Sequence, residues 1–72
     1  MPHYPILKTN EVIKALEKAG FYFVHQKGSH ARYSNGNLKT TVPMNKKDID
    51  DLTLKSILKQ IKTELEDFMK LL

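Results

Sequence analysis

Residues 21–43, FYFVHQKGSHARYSNGNLKTTVP, contain three runs of β-branched and aromatic side chains separated by glycine-containing turns. The runs are Phe21–Gln26, Ala31–Ser34 and Leu38–Val42, and each has the composition typical of a strand. The dipeptide Asn35-Gly36 separates the last two runs, and both residues tolerate the positive φ of a type I′ hairpin turn. The segment therefore predicts three short antiparallel strands.

The hairpin turn also predicts which side chains share a face of the sheet. With Asn35 and Gly36 as the two loop residues, Arg32 pairs directly with Lys39. Side chains alternate between faces along a strand, so one face carries Ala31, Tyr33, Leu38, Thr40 and Val42. The other face carries His30, Arg32, Ser34, Lys39 and Thr41. The first face is suited to pack against helices, and the second is polar and basic.

A helix is predicted on the N-terminal side of the strands. Residues 10–19 carry apolar side chains at the three-to-four-residue spacing of an amphipathic helix. Thr9 or Asn10 is suited to cap its start. Gly20 stands where a left-handed residue commonly ends a helix, and Phe21 is placed for the hydrophobic contact that closes such an end.

The C-terminal part of the chain is also predicted to be helical. An unbroken apolar stripe at helical spacing runs from Leu54 to Leu72, and Asp50 and Asp51 precede it as capping residues. Residues 63–66 have the form of a capping box, which allows two helices in place of one. The predicted order is α-β-β-β-α, an α+β fold with a three-stranded antiparallel sheet and helices packed on one face.

Length and composition restrict the class of protein. The chain has 72 residues and a mass of 8.3 kDa, so we expect a single domain over residues 1–72. It has no cysteine, which excludes disulfides, thiolate zinc sites and cysteine nucleophiles. Its longest uncharged run, Ala19–Gln26, is much shorter than the roughly 20 residues of a membrane span. These features predict a cytoplasmic protein with no membrane association.

The positive charge is concentrated in the middle of the chain. The net charge is +4, and residues 21–47 contribute five cationic side chains and no carboxylate. These cations are Lys27, Arg32, Lys39, Lys46 and Lys47. A basic segment without carboxylates is typical of a protein that binds a polyanion such as nucleic acid. An ordinary solvated surface is the alternative interpretation.

His30 is the main candidate for catalysis. It follows Lys27-Gly28-Ser29, at the glycine turn before the second strand, and lies on the polar face beside Arg32 and Lys39. Imidazole transfers protons near neutral pH, and neighbouring cations stabilise the charge that builds on a phosphate during RNA cleavage. The alternative is a surface histidine in a basic patch.

The remaining candidates are weaker. The position of His25 in the first strand is more typical of a structural residue or of a contact at the rim of the site. His3 belongs to an unanchored N-terminus, and Tyr22 is a weak candidate for a nucleic-acid contact. No two histidines have metal-ligand spacing within one element, so we expect no metal site and no cofactor.

The ordered set of these motifs resembles the HicA toxins of bacterial and archaeal toxin–antitoxin pairs. The resemblance is carried by Met1-Pro2, Pro5 and Leu7, and by residues 12–16, 19–21, 26–30, 41–43 and 54–60. Its most specific part is Gln26-Lys27-Gly28-Ser29-His30, which is similar to the signature stretch of the family. It covers nearly the whole chain.

The resemblance implies a fold like that of double-stranded-RNA-binding domains and a ribonuclease activity on messenger RNA that needs no metal and arrests translation. The active-site histidine of the family corresponds to His30. A HicB-type antitoxin is the implied protein partner, and it masks the site. The residues we expect to bind RNA around His30 are Lys27, Gly28, Ser29, Arg32, Lys39 and Thr41.

The chain departs from the family pattern at two positions. Many members have Val-Pro-x-His where this chain has Val42-Pro43-Met44-Asn45, so a second imidazole is missing. Many also have a glycine after the position of Gln60, where this chain has Ile61-Lys62-Thr63. RNA cleavage needs a partner for the second proton transfer, and the sequence identifies none.

Two other functions are compatible with the sequence. The first is a non-catalytic double-stranded-RNA-binding module, which reads duplex shape and phosphates. Such modules carry lysines at the start of the last helix, where this chain has Asp48, Asp50 and Asp51. The second is a protein-binding subunit whose basic face meets only an acidic partner.

Overall fold

The computed structural model describes residues 4–72, so Met1-Pro2 and His3 lie outside the described part of the chain. The strands are β1 (Leu7–Lys8), β2 (Tyr22–Lys27), β3 (His30–Ser34), β4 (Lys39–Pro43) and β5 (Asp48–Ile49). The helices are α1 (Thr9–Lys18), α2 (Asp51–Gln60) and α3 (Leu65–Met69). The α-β-β-β-α order predicted from the sequence is confirmed, with two short strands and a third helix added to it.

Strands β2, β3 and β4 form an antiparallel sheet in that order, and α1 and α2 both contact β4. The helices cover one face of the sheet, and the other face is open. Side chains of β3 and β4 on the covered face are buried, among them Ala31, Tyr33 and Val42. They join apolar side chains of the helices in one core: Val12, Ala15, Leu16, Leu54, Ile57, Leu58, Ile61 and Phe68.

The predicted register of the second hairpin is wrong by two residues. Ser34 pairs with Lys39, and Arg32 pairs with Thr41, so Arg32 and Lys39 are not opposite each other. The reason is the turn. Asn35 is an acceptor for the turn: its Oδ1 accepts hydrogen bonds from the backbone N–H groups of Asn37 and Leu38, at 2.9 and 2.7 Å. Gly36, with a φ of 97°, then bends the chain.

Moving the turn along the chain by one residue shifts the strand pairing by two. Because side chains alternate with a period of two, the predicted faces are retained although the pairs are different. His30, Arg32 and Lys39 are exposed, and Ala31, Tyr33, Thr40 and Val42 are buried or nearly so. Leu38 is half-buried at the core margin.

The pairing of β1 with β5 fastens the N-terminal segment to the chain that precedes α2. Leu7 pairs with Ile49 and Lys8 with Asp48. Thr9 strengthens this contact, because its Oγ1 donates to the Lys46 carbonyl at 2.6 Å and its N–H donates to the Lys47 carbonyl at 3.0 Å. The sequence analysis did not predict this small sheet, since neither strand exceeds two residues.

Helix α1 begins and ends one residue earlier than predicted, and the predicted glycine turn closes it. Its N-cap is Lys8, whose N–H donates to Oε1 of Glu11 at 3.0 Å, so neither Thr9 nor Asn10 caps the helix. At the other end Gly20 has a φ of 94°, and the Phe21 N–H donates to the Leu16 carbonyl at 2.9 Å. Phe21 is buried in the core, which confirms its predicted contact.

The C-terminal helical segment is divided into α2 and α3 by a turn at residues 61–64. The Thr63 N–H donates to the Leu58 carbonyl at 3.0 Å, the same helix-ending bond that Phe21 makes to Leu16. Lys62 occupies the left-handed position, with a φ of 53°. The predicted capping box at residues 63–66 does not form, because the N-cap of α3 is Glu64.

Replacing Lys62 by glycine should stabilise the protein. A side chain costs about 1–2 kcal/mol in the left-handed region, and the greater flexibility of glycine in the unfolded chain offsets part of this. We expect the free energy of unfolding to rise by about 0.5–1 kcal/mol, measured by urea denaturation. The matched control is Lys55→Gly in the exposed interior of α2, which should lower it by about 1 kcal/mol. Destabilisation by both substitutions would contradict this account of the turn.

Candidate catalytic histidine and nucleic-acid interface

The turn between β2 and β3 determines which side chains surround His30. Lys27 pairs with His30, so Gly28 and Ser29 form a two-residue hairpin turn. Gly28 has a φ of 60°, as the first position of a type II′ turn requires. The Met44 N–H donates to the Ser29 carbonyl at 2.6 Å, which ties the turn to the end of β4. His30 is therefore the first residue of β3, and its position is fixed by the pairing with Lys27 and by the hydrogen bond between Ser29 and Met44.

The open face of the sheet carries three rows of side chains, each row running across the three strands. The central row is His25, Arg32 and Thr41. The row on the side of the Gly28-Ser29 turn is Lys27, His30 and Pro43, and the row on the far side is Tyr22, Ser34 and Lys39. Two histidines and three cations thus occupy one face.

A β-bulge at Val24 changes the alternation within β2. Phe23 pairs with Tyr33, and His25 pairs with Arg32, so Val24 is an extra residue. Phe23 consequently lies on the helix side, where its ring meets Tyr33 edge to face with 5.8 Å between centroids. Tyr22 pairs with Ser34, so it lies on the open face, and it is 54% exposed.

Two adjacent depressions lie on this face. The first has a volume of about 430 Å³ and is lined by His25, Lys27, His30, Arg32 and Thr41. The second, of about 400 Å³, is lined by His30, Thr41, Pro43, Asn45, Lys46 and Thr53. His30 and Thr41 line both depressions. His30 is therefore at the junction of two concave surfaces, with cationic side chains on either side.

The electrostatics of the depressions favour an anion. No carboxylate lines either of them within residues 4–72. Asp50, the N-cap of α2, is hydrogen-bonded to a residue of the second depression: its Oδ1 accepts the Thr53 N–H at 2.7 Å. Hydrogen bonds from Thr53 hold the pKa of Asp50 below its ordinary value, and Lys46 lowers this pKa further. The carboxylate of Asp50 thus caps the N-terminus of α2.

The pKa of Tyr33 is also displaced from its ordinary value. Burial on the covered side of the sheet raises the pKa of its phenol, and the negative charge of Glu17 raises it further. Tyr33 is 6% exposed and belongs to the core. Its hydroxyl therefore takes no part in the open face.

The structure brings most of the predicted site residues together. Lys27, Arg32 and Thr41 surround His30, and Gly28 and Ser29 form the turn beside it. Lys39 is on the open face but two rows from His30, about 13 Å along β4 from the position of Pro43. It lines neither depression.

The structure also adds residues that the sequence analysis did not assign to the site: His25, Asn45, Lys46 and Thr53. Asn45 stands at the position where many relatives have a second histidine, and it lines the depression next to His30. In the described residues, no group of three or more histidine, cysteine or acidic side chains is arranged to hold a metal ion. The helices of this part of the chain include none that is long and apolar enough to cross a membrane.

Comparison with protein families identifies the chain. The family model described as the HicA toxin of bacterial toxin–antitoxin matches residues 9–63. The chain belongs to the HicA toxin family. The matched residues include every residue that lines the two depressions, and they end at the turn after α2. No curated protein matches the chain. Membership of the HicA family gives the protein the role of a toxin with an antitoxin partner, as the resemblance implied.

Proposed function

We propose that this HicA protein is an endoribonuclease that cleaves messenger RNA, without needing a metal, at a site centred on His30. The observation that supports this proposal most strongly is the position of His30 at the junction of two depressions that no carboxylate of the described residues lines. A scissile phosphate lies between two nucleotides, and each depression has room for part of one of them. The phosphate would then rest against His30.

The groups around His30 have distinct proposed roles. Lys27 and Arg32 neutralise the phosphate and the charge that builds on it in the transition state. Arginine binds phosphate through two parallel hydrogen bonds, which also orients the group. The Thr41 hydroxyl, which both depressions share, and Ser29 at the turn position the phosphate relative to His30. Gly28 permits the turn that aligns β2 with β3.

Two further cations extend the proposed RNA path. Lys46 lines the far depression, and Lys39 lies at the opposite end of the open face. An RNA strand that follows the face from Lys39 to Lys46 passes Arg32 and His30 on the way. Such a path binds through phosphate contacts, whose strength falls as salt concentration rises.

The same face is the proposed binding surface of a HicB-type antitoxin. A partner that covers His30 and both depressions would exclude RNA from them, so inhibition follows from occupancy alone. Its contact surface should be acidic, because complementary charges speed association and exclude wrong partners. We place this activity in the cytoplasm, where messenger RNA and the antitoxin meet.

The test is incubation of the purified protein with a long messenger RNA in EDTA. The two matched variants are Arg32→Ala, beside His30, and Lys39→Ala, two rows away. We expect the wild type to cleave the RNA. Arg32→Ala should lower the cleavage rate by at least about 10-fold, since a charge-assisted phosphate contact is worth about 1.5–3 kcal/mol, and Lys39→Ala should lower it less.

The outcomes separate the three functions weighed for this sequence. Equal cleavage by all three proteins would contradict the proposed role of Arg32 in holding the scissile phosphate. Intact RNA that is nevertheless bound by the wild type would favour a non-catalytic RNA-binding module. Absence of binding at moderate salt would favour a subunit that meets only its protein partner.

A further inference from the structure

Cleavage of RNA by its own 2′-hydroxyl requires two proton transfers at one phosphate. The 2′-oxygen forms a bond to phosphorus while the bond from phosphorus to the 5′-oxygen breaks. One group accepts the proton of the 2′-hydroxyl, and another donates a proton to the departing 5′-oxygen. The products are a 2′,3′-cyclic phosphate and a 5′-hydroxyl. His30 supplies one of these groups, and a second is needed on the same face.

We propose that His25 is the second proton-transfer group of this site, an inference that rests on the proposed ribonuclease function. The turn at Gly28-Ser29 carries the argument. It pairs Lys27 with His30, and two residues earlier along β2 it pairs His25 with Arg32. Because the strand period is two, His25 projects from the same face as Lys27 and His30.

The geometry of the sheet places the two imidazoles at a suitable separation. His25 and His30 are diagonal neighbours on adjacent antiparallel strands, and the Cα atoms of such neighbours are about 7–8 Å apart. Both side chains line the 430 Å³ depression, with Arg32 and Thr41. One phosphate between them can be contacted from two sides. Both histidines are exposed, so substrate can reach them.

The other groups that line the two depressions do not serve this role. Arginine cannot be deprotonated in proteins, and lysine, with an ordinary pKa of about 10.4, is poorly matched to proton transfer near neutral pH. Asn45 offers hydrogen bonds but no titrating proton. The phenol of Tyr33 is buried on the opposite side of the sheet. Within residues 4–72, His25 is the imidazole that remains.

The charged and titratable groups that face His25 come from two strands. Lys27 is on its own strand, Arg32 and His30 are on β3, and the side chain that β4 contributes is the neutral Thr41. When the phosphate binds, Lys27 and Arg32 balance its negative charge. The two histidines then transfer protons at the attacking 2′-oxygen and the departing 5′-oxygen.

The test is the dependence of kcat/KM on pH for cleavage of a short fluorescent RNA. The proteins are the wild type, His25→Ala, His25→Gln and the cross-strand control Arg32→Ala. We expect a bell-shaped profile for the wild type, because one group must be deprotonated and the other protonated. Both His25 variants should be about 10²-fold slower or more and should lose one limb of the bell. Arg32→Ala should be slower with both limbs retained, the signature of a residue that only binds.

The result can overturn the proposal without overturning the proposed function. Retention of both limbs by the folded His25 variants, whatever their rate, would show that His25 transfers no proton. A wild-type profile with a single limb would exclude a second titrating group. If the wild type cleaves no RNA at all, the ribonuclease function itself fails. Circular dichroism establishes that each variant is folded.

Discussion

Replacing His30 by alanine is expected to lower the rate of RNA cleavage by about 10²–10⁴-fold, the range in which proton transfer by a positioned side chain contributes to catalysis. The loss should be in kcat, because Lys27 and Arg32 still hold the phosphate. RNA binding, measured by fluorescence anisotropy in EDTA, should change less than threefold. His30 is exposed, so its removal should not disturb the core.

The control for His30→Ala is Asn37→Ala in the other hairpin turn. Asn37 is exposed, contributes only its backbone N–H to the turn and lines neither depression. Its substitution should leave cleavage unchanged. Unaltered cleavage by His30→Ala would remove His30 from the mechanism, and a parallel loss of binding and cleavage would reassign it to RNA binding.

Phe68→Ala is expected to lower the free energy of unfolding by about 3–5 kcal/mol, as for other large aromatic residues truncated in a core. Phe68 is completely buried and is the residue of α3 that enters the core. A domain of this size rarely has more than about 3–5 kcal/mol of stability from a single core. The variant should therefore be largely unfolded at 37 °C, measured by thermal circular dichroism.

Met69→Ala on the same helix is the matched control. Met69 is 37% exposed, so its truncation should lower the free energy of unfolding by much less than Phe68→Ala does. Similar melting temperatures for Phe68→Ala and the wild type would mean that α3 does not contribute to the cooperative core. In that case the fold would be carried by α1, α2 and the sheet alone.

Much of the fold was predictable because apolar side chains recur along the sequence at the spacing of a helix or a strand. The faces of β3 and β4 follow from alternation, which a shift of two residues leaves unchanged. The exact pairs were not predictable from the Asn35-Gly36 dipeptide, because Asn35 accepts hydrogen bonds for the turn and is not one of its central residues. The predicted pairing of Arg32 with Lys39 therefore has no counterpart in the structure.

The division of the C-terminal segment depends on a residue that gives no signal in the sequence. Glycine usually marks a left-handed helix end, and here Lys62 adopts that conformation. The apolar stripe continues through the turn, since Ile61 and Phe68 both enter the core. Periodicity alone could not distinguish one helix from two, and the sequence analysis left both open.

The candidate site was predicted in part. His30 and its cationic neighbours follow from the second hairpin, but the placement of His25 depends on the first. Gly28-Ser29 is itself a hairpin signal, and counting back two residues from Lys27 would have assigned His25 to the open face. Lys46 and Thr53 reach the site only through the tertiary contact between the start of α2 and the end of β4, which no local pattern encodes.

The most direct test of the central claim is the chemical nature of the RNA ends that the wild-type protein produces in EDTA. Attack by the 2′-hydroxyl, with His30 transferring a proton, predicts a 2′,3′-cyclic phosphate or its 3′-phosphate product on one fragment and a 5′-hydroxyl on the other. Mass spectrometry of a cleaved oligonucleotide identifies these ends. Fragments that carry a 3′-hydroxyl and a 5′-phosphate would contradict the account, because they require water, and not the RNA's own hydroxyl, as the attacking group.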